Sequence, residues 1–192
     1  MQTADRIMEA ARACLLAEGY AKLSTRKVAE RASVPLSQIH YHFQGKQGMV
    51  LALLDYENRL LVGRQREMYS ARTPLWKRYE QACDFLEDDL ASGYVRVLQE
   101  MISAGWSDAE VARQVLAMLQ GWMDVLEEVA REAEERFGSL GVFSPADVAG
   151  LVGLAFLGGE SVLLLGDTAW QGRVRSALRS VTAGLRALEE NR

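Results

Sequence analysis

The chain has 192 residues with 22 Lys and Arg against 26 Asp and Glu, which gives a formal net charge of −4. Hydrophobic residues make up 49% and charged residues 25%, a balance typical of a folded globular protein and not of a disordered one. The two cysteines form no paired motif, the first residues lack the apolar run of a signal peptide, and the longest apolar stretch is interrupted by Glu160. These features predict a soluble cytoplasmic protein with no membrane span and buried, reduced cysteines.

The charge is unevenly distributed. Residues 1–48 hold seven basic and four acidic side chains, whereas the remaining 144 hold 15 basic and 22 acidic ones. A basic head on an acidic body indicates that only the head meets a polyanion. We therefore predict two domains, residues 1–47 and residues 48–192.

Apolar residues recur with a helical period along the whole chain. The first stripe predicts a helix from about residue 3 to 18 that Gly19 ends, and Ser24 or Thr25 is expected to cap a second helix. Further helices are predicted from 36 to 43, 46 to 69, 93 to 104, Pro145 to 165, and 168 to 189. Pro74 is expected to begin another helix, with an apolar stripe from Leu75 to Leu90, and Ser107 or Asp108 to cap a long one that becomes charged after Leu126. The fold class is all-α with about nine helices.

Residues 24–43 read as helix, three-residue turn and helix after a supporting first helix, which is the arrangement of a DNA-binding head. On a helical wheel Ile39 and Phe43 face inward, while Ser37, Gln38 and Tyr41 point away. His40 lies on one shoulder of the wheel, and His42 is expected to lie nearer the core as a structural residue. Hydroxyl, amide and ring groups on an exposed face suit base edges and phosphates in a major groove.

The run STRKVAERASVPLSQIHYHFQGK resembles the head of the TetR family of bacterial transcriptional regulators. The chain departs from that family's pattern at the turn, with Ser33 for a glycine and Pro35 for a serine, and in the third helix at Ser37 and His40. The resemblance implies that Thr25, Tyr41 and Lys46 contact phosphates of a double-stranded DNA operator, that Arg26 and Lys27 add attraction, and that Ser37, Gln38 and His40 approach bases. Each of these residues also has a plain structural interpretation, as a cap or a surface side chain.

The body is predicted to form a homodimer and to bind a small-molecule effector. Family resemblance favours a dimer through the last two helices, with a seam of small and apolar residues: Gly153, Val174, Leu178, Val181 and Leu185. The same residues would also suit the chain's own core. Candidate walls of an effector chamber are Trp76, Met101, Trp106, Trp122, Met123 and Phe156, with Glu100, Asp124 and Glu160 as polar groups, although such a set is more often plain core.

No sequence motif supports catalysis. Both histidines lie in the third helix about 200° apart on the wheel, so they cannot share a metal, and the chain has no phosphate loop, nucleophile elbow or zinc-binding cysteine pair. We therefore expect neither an enzyme nor a cofactor. The predicted function is a dimeric, ligand-responsive repressor, and the alternative is a helical small-molecule carrier whose head no longer binds DNA.

Overall fold

The structure is a computed structural model that describes residues 2–190, and these residues form nine α-helices and no strand. The all-α prediction is confirmed. The helices are α1 (Thr3–Lys22), α2 (Thr25–Ala32), α3 (Leu36–Phe43), α4 (Lys46–Ser70), α5 (Leu75–Ser92), α6 (Tyr94–Gly105), α7 (Ala109–Phe137), α8 (Pro145–Leu163) and α9 (Thr168–Glu190).

The chain divides into two compact units. The first contains the residues up to Leu60 together with Gly93–Met118, and the second contains Leu61–Ser92 together with the chain from Leu119 onward. The predicted head, residues 1–47, lies within the first unit. Helices α4 and α7 contribute residues to both units.

In the first unit α1 packs on α2, α3 and α6. Ile7, Leu15, Val28 and Ile39 are completely buried there, as the apolar stripes predict. Helix α1 continues four residues beyond its predicted end, but it is interrupted at Gly19, whose φ of 78° is accessible mainly to glycine. The predicted break is therefore present, and a further turn follows it.

In the second unit α9 runs antiparallel along α5 and also packs on α8. Two ion pairs fix the register, Arg175 with Glu87 at 2.7 Å and Arg179 with Asp84 at 2.7 Å. At the other end the Glu189 carboxylate accepts the backbone N–H groups that begin α5, at 3.1 Å from Leu75 N and 3.2 Å from Trp76 N. A carboxylate at this position satisfies unpaired amides and complements the helix dipole.

The predicted caps are partly correct. The Asp108 carboxylate caps α7 by accepting the N–H groups of Glu110 and Val111, and the Ser144 hydroxyl caps α8 by accepting the N–H of Asp147. The cap predicted for Ser24 is absent, because its side chain makes no capping hydrogen bond and only its carbonyl accepts a bond, from Val28 N.

Both cysteines are buried, and burial raises the pKa of Cys83 to about 11.

Candidate nucleic-acid interface

The turn between α2 and α3 is built on a serine in a left-handed conformation. Ser33 has φ 54° and ψ 49°, and the N–H groups of Ser33 and Val34 both return to the last turn of α2. This is the geometry that glycine adopts at many helix ends. The guanidinium of Arg6 donates to the carbonyl oxygens of Ala32 and Ser33, the latter at 3.0 Å, so α1 supports the turn from below.

Helix α3 has a buried side and an exposed side. Ile39 is completely buried, and Leu36 and Phe43 are half-buried against the unit. The structure brings Ser37, His40 and Tyr41 together on the exposed side and places Gln38 half-buried at its edge. Tyr41 is 81% exposed, although tyrosine usually packs much of its ring against the protein. Its ring and hydroxyl are therefore available to a partner.

The prediction that His42 lies nearer the core is wrong. His42 is exposed, and it lines an open groove with Gly48, Ala52 and Asp55 of α4. The wheel points it inward, but Gly48, which has no side chain, and the small Ala52 leave the groove beside it open. A β-carbon at Gly48 would lie 2.0 Å from the backbone oxygen of Phe43, so this glycine is required where α4 approaches the end of α3.

The other predicted DNA contacts lie at the start of the two helices that precede and follow α3. Thr25 is the first residue of α2 and is half-buried, Arg26 is exposed, and Lys27 is exposed and paired with Glu18 at 2.5 Å. The hydrogen bond from Lys27 to this carboxylate raises the pKa of Lys27. Lys46 begins α4, and burial lowers the pKa of its ammonium.

Sequence reasoning missed two residues that contact these cations, Glu18 and Tyr20. The Lys46 ammonium lies 4.3 Å from the centroid of the Tyr20 ring. An aromatic residue directly after the helix-breaking Gly19 was the only local signal, and nothing in the sequence linked it to a lysine 26 positions later.

The candidate effector residues divide between the two units. In the first, Met101 is completely buried, Trp106 is 81% exposed, and the Glu100 carboxylate accepts the backbone N–H of Tyr20 at 3.1 Å. Glu100 therefore joins α6 to α1, so that this carboxylate has a structural partner. The exposed Trp106 lies in the connection between α6 and α7.

In the second unit an aromatic cluster forms around Phe156, whose ring lies edge-on to Tyr79 at 6.0 Å and to Trp122 at 6.4 Å. The indole N–H of Trp122 donates to the buried amide of Gln65 at 2.7 Å. Glu160 is buried one turn after Phe156 on the same side of α8, whereas Asp124 is exposed. Sequence reasoning missed Gln65 and Tyr79, which come from the distant helices α4 and α5.

Two other members of the predicted set have different neighbours. The Met123 thioether packs so closely on Gly153 that a β-carbon there would lie 2.6 Å from its sulfur. The ring of Trp76 lies against the cations of Lys77, at 5.3 Å, and Arg186, at 5.0 Å. Trp76 thus belongs to the junction of α5 and α9.

The tri-helical arrangement with an exposed, uncharged α3 defines the first unit as a helix-turn-helix domain of the kind that enters a major groove. Residues 7–53 match the family model TetR_N, described as bacterial regulatory proteins of the tetR family, so this part of the chain is similar to the N-terminal domain of that family. An uncharacterized HTH-type transcriptional regulator, YvkB of Bacillus subtilis, is 42% identical over 52 residues. That match covers 27% of this chain and 28% of the relative.

Solved structures extend the likeness of fold to nearly the whole chain. The fatty acid degradation regulator FadR from Bacillus halodurans has a TM-score of 0.81 at 16% identity, covering 96% of this chain and 95% of that one. FadR from Bacillus subtilis, solved in complex with stearoyl-CoA, has a TM-score of 0.79 at 14% identity, covering 94% and 96%. At such identities the likeness concerns the fold.

Proposed function

We propose that the protein is a homodimeric transcriptional repressor that binds a palindromic operator and leaves it when a small molecule binds the second unit. The observation that carries this proposal is the exposed side of α3, where Ser37, His40 and Tyr41 are presented together to solvent. An exposed helix that only faced water would more often carry Lys and Glu than hydroxyls and rings.

The DNA contacts follow from the chemistry of this surface. Ser37, Gln38 and His40 offer a hydroxyl, an amide and a ring to base edges, and an amide pairs well with adenine. Thr25 at the start of α2 offers its hydroxyl and the helix N-terminal amides to a phosphate.

Tyr41 and Lys46 are expected to contact the DNA backbone on either side, and Arg26 and Lys27 to add attraction. An operator for such a dimer contains two half-sites about 34–36 Å apart, so a specific complex needs two heads, one for each half-site.

The dimer interface is proposed on the outward stripes of α8 and α9. On α8 the exposed apolar stripe is formed by Leu151, Leu154 and Gly158, and on α9 by Ala177, Val181, Gly184 and Leu188. Both stripes have the three- and four-residue spacing of a helix seam, so two copies can join them in a four-helix bundle.

This differs from the seam that the sequence predicts. Val181 is exposed, as is Leu188 of the same predicted heptad pattern, whereas Gly153 and Leu178 are buried inside the chain's own unit, and Val174 and Leu185 are half-buried at the edge. Gly153 and Leu178 pack against α7 and α8, so the partner copy is expected to meet the neighbouring stripe instead.

The same stripe on α8 explains a feature that could suggest a membrane. Among the described helices α8 alone is long and apolar enough to cross one, by length and composition. Its inward side carries Glu160, and its outward stripe adjoins that of α9. We infer that a second copy covers it and that the protein works in the cytoplasm, where its DNA partner is found.

We infer that the effector is largely apolar. The aromatic cluster of Tyr79, Trp122 and Phe156 supplies apolar walls, and Gln65 and Glu160 are the buried polar groups beside it. The fold likeness to a regulator solved with stearoyl-CoA supports a long-chain acyl compound as the first probe. Titrating stearoyl-CoA into a preformed operator complex tests this point, and the part of the tryptophan fluorescence change that is lost in Trp122→Phe is a second readout.

Selection of bound sequences from a random duplex pool by the purified protein tests the DNA proposal. We expect an enriched palindrome and a loss of its binding in Tyr41→Ala. Retention that shows no sequence preference and disappears uniformly as salt rises would refute specific recognition and favour a carrier.

Sedimentation tests the dimer. Leu154→Glu is expected to yield monomers, because it places a charge in the proposed bundle. Leu116→Glu is the matched control, since Leu116 is equally exposed, 64% against 65%, but lies on α7 in the first unit. A dimer that survives Leu154→Glu, or that dissociates equally in both variants, would contradict the proposed interface.

A further inference from the structure

Lys46 occupies an unfavourable position for a lysine. It is the first residue of α4, where the positive end of the helix dipole repels a cation, and partial burial lowers the pKa of its ammonium. The favourable contact that the structure shows is the face of the Tyr20 ring, 4.3 Å from the ammonium to the ring centroid. A cation held over an aromatic face is stabilised by the ring quadrupole.

Tyr20 is in turn fixed by α6. Its backbone N–H donates to Glu100 Oε2 at 3.1 Å, just after the chain breaks helical geometry at Gly19. A β-carbon at Gly19 would lie 2.9 Å from Glu100 Oε1, so the carboxylate fills the space that the glycine leaves open. One turn earlier on α6, Arg96 donates to the carbonyl of Leu16 at 3.0 Å.

We propose that Tyr20 is a positioning residue for DNA binding: held by Glu100 of α6, it keeps the Lys46 ammonium in place for a backbone phosphate. This rests on the proposed function. Since α6 anchors Tyr20, a displacement of α6 changes the position of Lys46 without any contact between α6 and DNA. The Lys46–phosphate contact thereby becomes dependent on the position of α6 within the first unit.

The expected effect follows from preorganisation. A lysine side chain that must be ordered on binding loses rotamer freedom, which lowers affinity by about three- to tenfold for one such side chain. Tyr20→Leu should show this loss for the selected duplex, because leucine keeps the apolar volume but has no ring. Tyr20→Phe keeps the ring and should bind within about twofold of the parent protein.

A double-mutant cycle separates positioning from a general weakening of the fold. In the Lys46→Gln background, Tyr20→Leu should have almost no further effect on affinity, since there is no ammonium left to position. Glu100→Ala should reproduce the loss seen in Tyr20→Leu. Glu100→Gln keeps an oxygen that accepts the Tyr20 N–H and should retain most of the affinity.

A second measurement needs no DNA. In the NMR spectrum of the free protein, the Lys46 methylene protons next to the ammonium should be shifted by the Tyr20 ring current, and Tyr20→Leu should abolish that shift. Equal thermal stability of the variants and the parent confirms that each is folded.

The outcomes are distinct. The inference is overturned if Tyr20→Leu binds the selected duplex as well as the parent does, or loses affinity equally with and without Lys46. If the parent protein enriches no duplex at all, the proposed function fails and the phosphate role with it, even where the ring-current shift is present. The inference is supported if Tyr20→Leu loses affinity for the selected duplex, Tyr20→Phe keeps it, and the loss occurs only in proteins that retain Lys46.

Discussion

The buried arginine of the second unit gives the sharpest stability prediction. Arg78 is only 2% exposed, and its guanidinium donates to both carboxylate oxygens of Glu132, at 2.9 and 2.5 Å, and to the carbonyl of Tyr69. Glu132→Ala would leave this buried cation with the single carbonyl. Removing one partner of a buried pair costs about 3–5 kcal/mol, and we expect a smaller cost here, about 2–3 kcal/mol, because water reaches the Glu132 side chain, which is 38% exposed.

A second substitution tests the reasoning. Arg78→Met removes the buried charge altogether, so Arg78→Met combined with Glu132→Ala should be more stable than Glu132→Ala alone, by at least about 1 kcal/mol. The control is Glu127→Ala, which breaks the exposed pair with Arg131 on the same helix and should cost less than about 0.5 kcal/mol. Urea unfolding at one fixed protein concentration measures all four free energies.

The same pair predicts a pH dependence. The hydrogen bond from Arg78 holds the pKa of Glu132 below its usual value, so its contribution is complete above the unfolded-state pKa and is lost as pH falls through the folded one. The stability difference between the parent protein and Glu132→Ala should therefore narrow below about pH 4. The argument would be refuted if Glu132→Ala lowered the free energy of unfolding no more than Glu127→Ala does at neutral pH. It would also be refuted if Arg78→Met combined with Glu132→Ala were less stable than Glu132→Ala alone.

Three further predictions concern the first unit. Ser33→Gly should stabilise the protein by about 0.5 kcal/mol in urea unfolding, because relief of the left-handed conformation exceeds the added chain entropy; a loss of stability would contradict this. Gly48→Ala should lower the free energy of unfolding by about 2 kcal/mol or more, because the added carbon meets the backbone of Phe43. Gly63→Ala, in an open part of the same helix, should instead stabilise the protein. Equal effects of the two substitutions would refute the packing argument. Glu18→Gln frees Lys27 and should raise duplex affinity at low salt but not at high salt in a filter-binding titration; a gain that persists at high salt would exclude this electrostatic explanation.

The helices could be predicted because their signals are local. Apolar residues at three- and four-residue spacing, Pro145 at the start of α8 and Asp108 before α7 each act within one or two turns. The exposed side of α3 follows from the same periodicity. The prediction for His42 was wrong because the surroundings of His42 depend on the small residues Gly48 and Ala52, which belong to another helix.

The polar contacts between distant helices could not be predicted, because their partners are far apart in the chain. Tyr20 and Glu100 are 80 positions apart, and Arg78 and Glu132 are 54 apart. The last helix shows a related limit. Leu178 and Val181 belong to one apolar pattern, yet Leu178 is buried in its own chain and Val181 is 41% exposed. Periodicity identifies the apolar arc, but it does not show where the chain's own core ends and a partner surface begins.

The arrangement of charge bears on how the head would distinguish operator from other DNA. Three of its cations are engaged within the chain: Lys27 with Glu18, Arg12 with Glu57, and Arg6 at the turn after α2. The exposed basic side chains that remain include Arg26 and Arg31. Attraction to any phosphate backbone is therefore weaker than the sequence count suggests, and the rest of the chain is acidic. Discrimination must then come from the uncharged side of α3 and from cations held in fixed positions, which favours a protein that binds little DNA outside its operator.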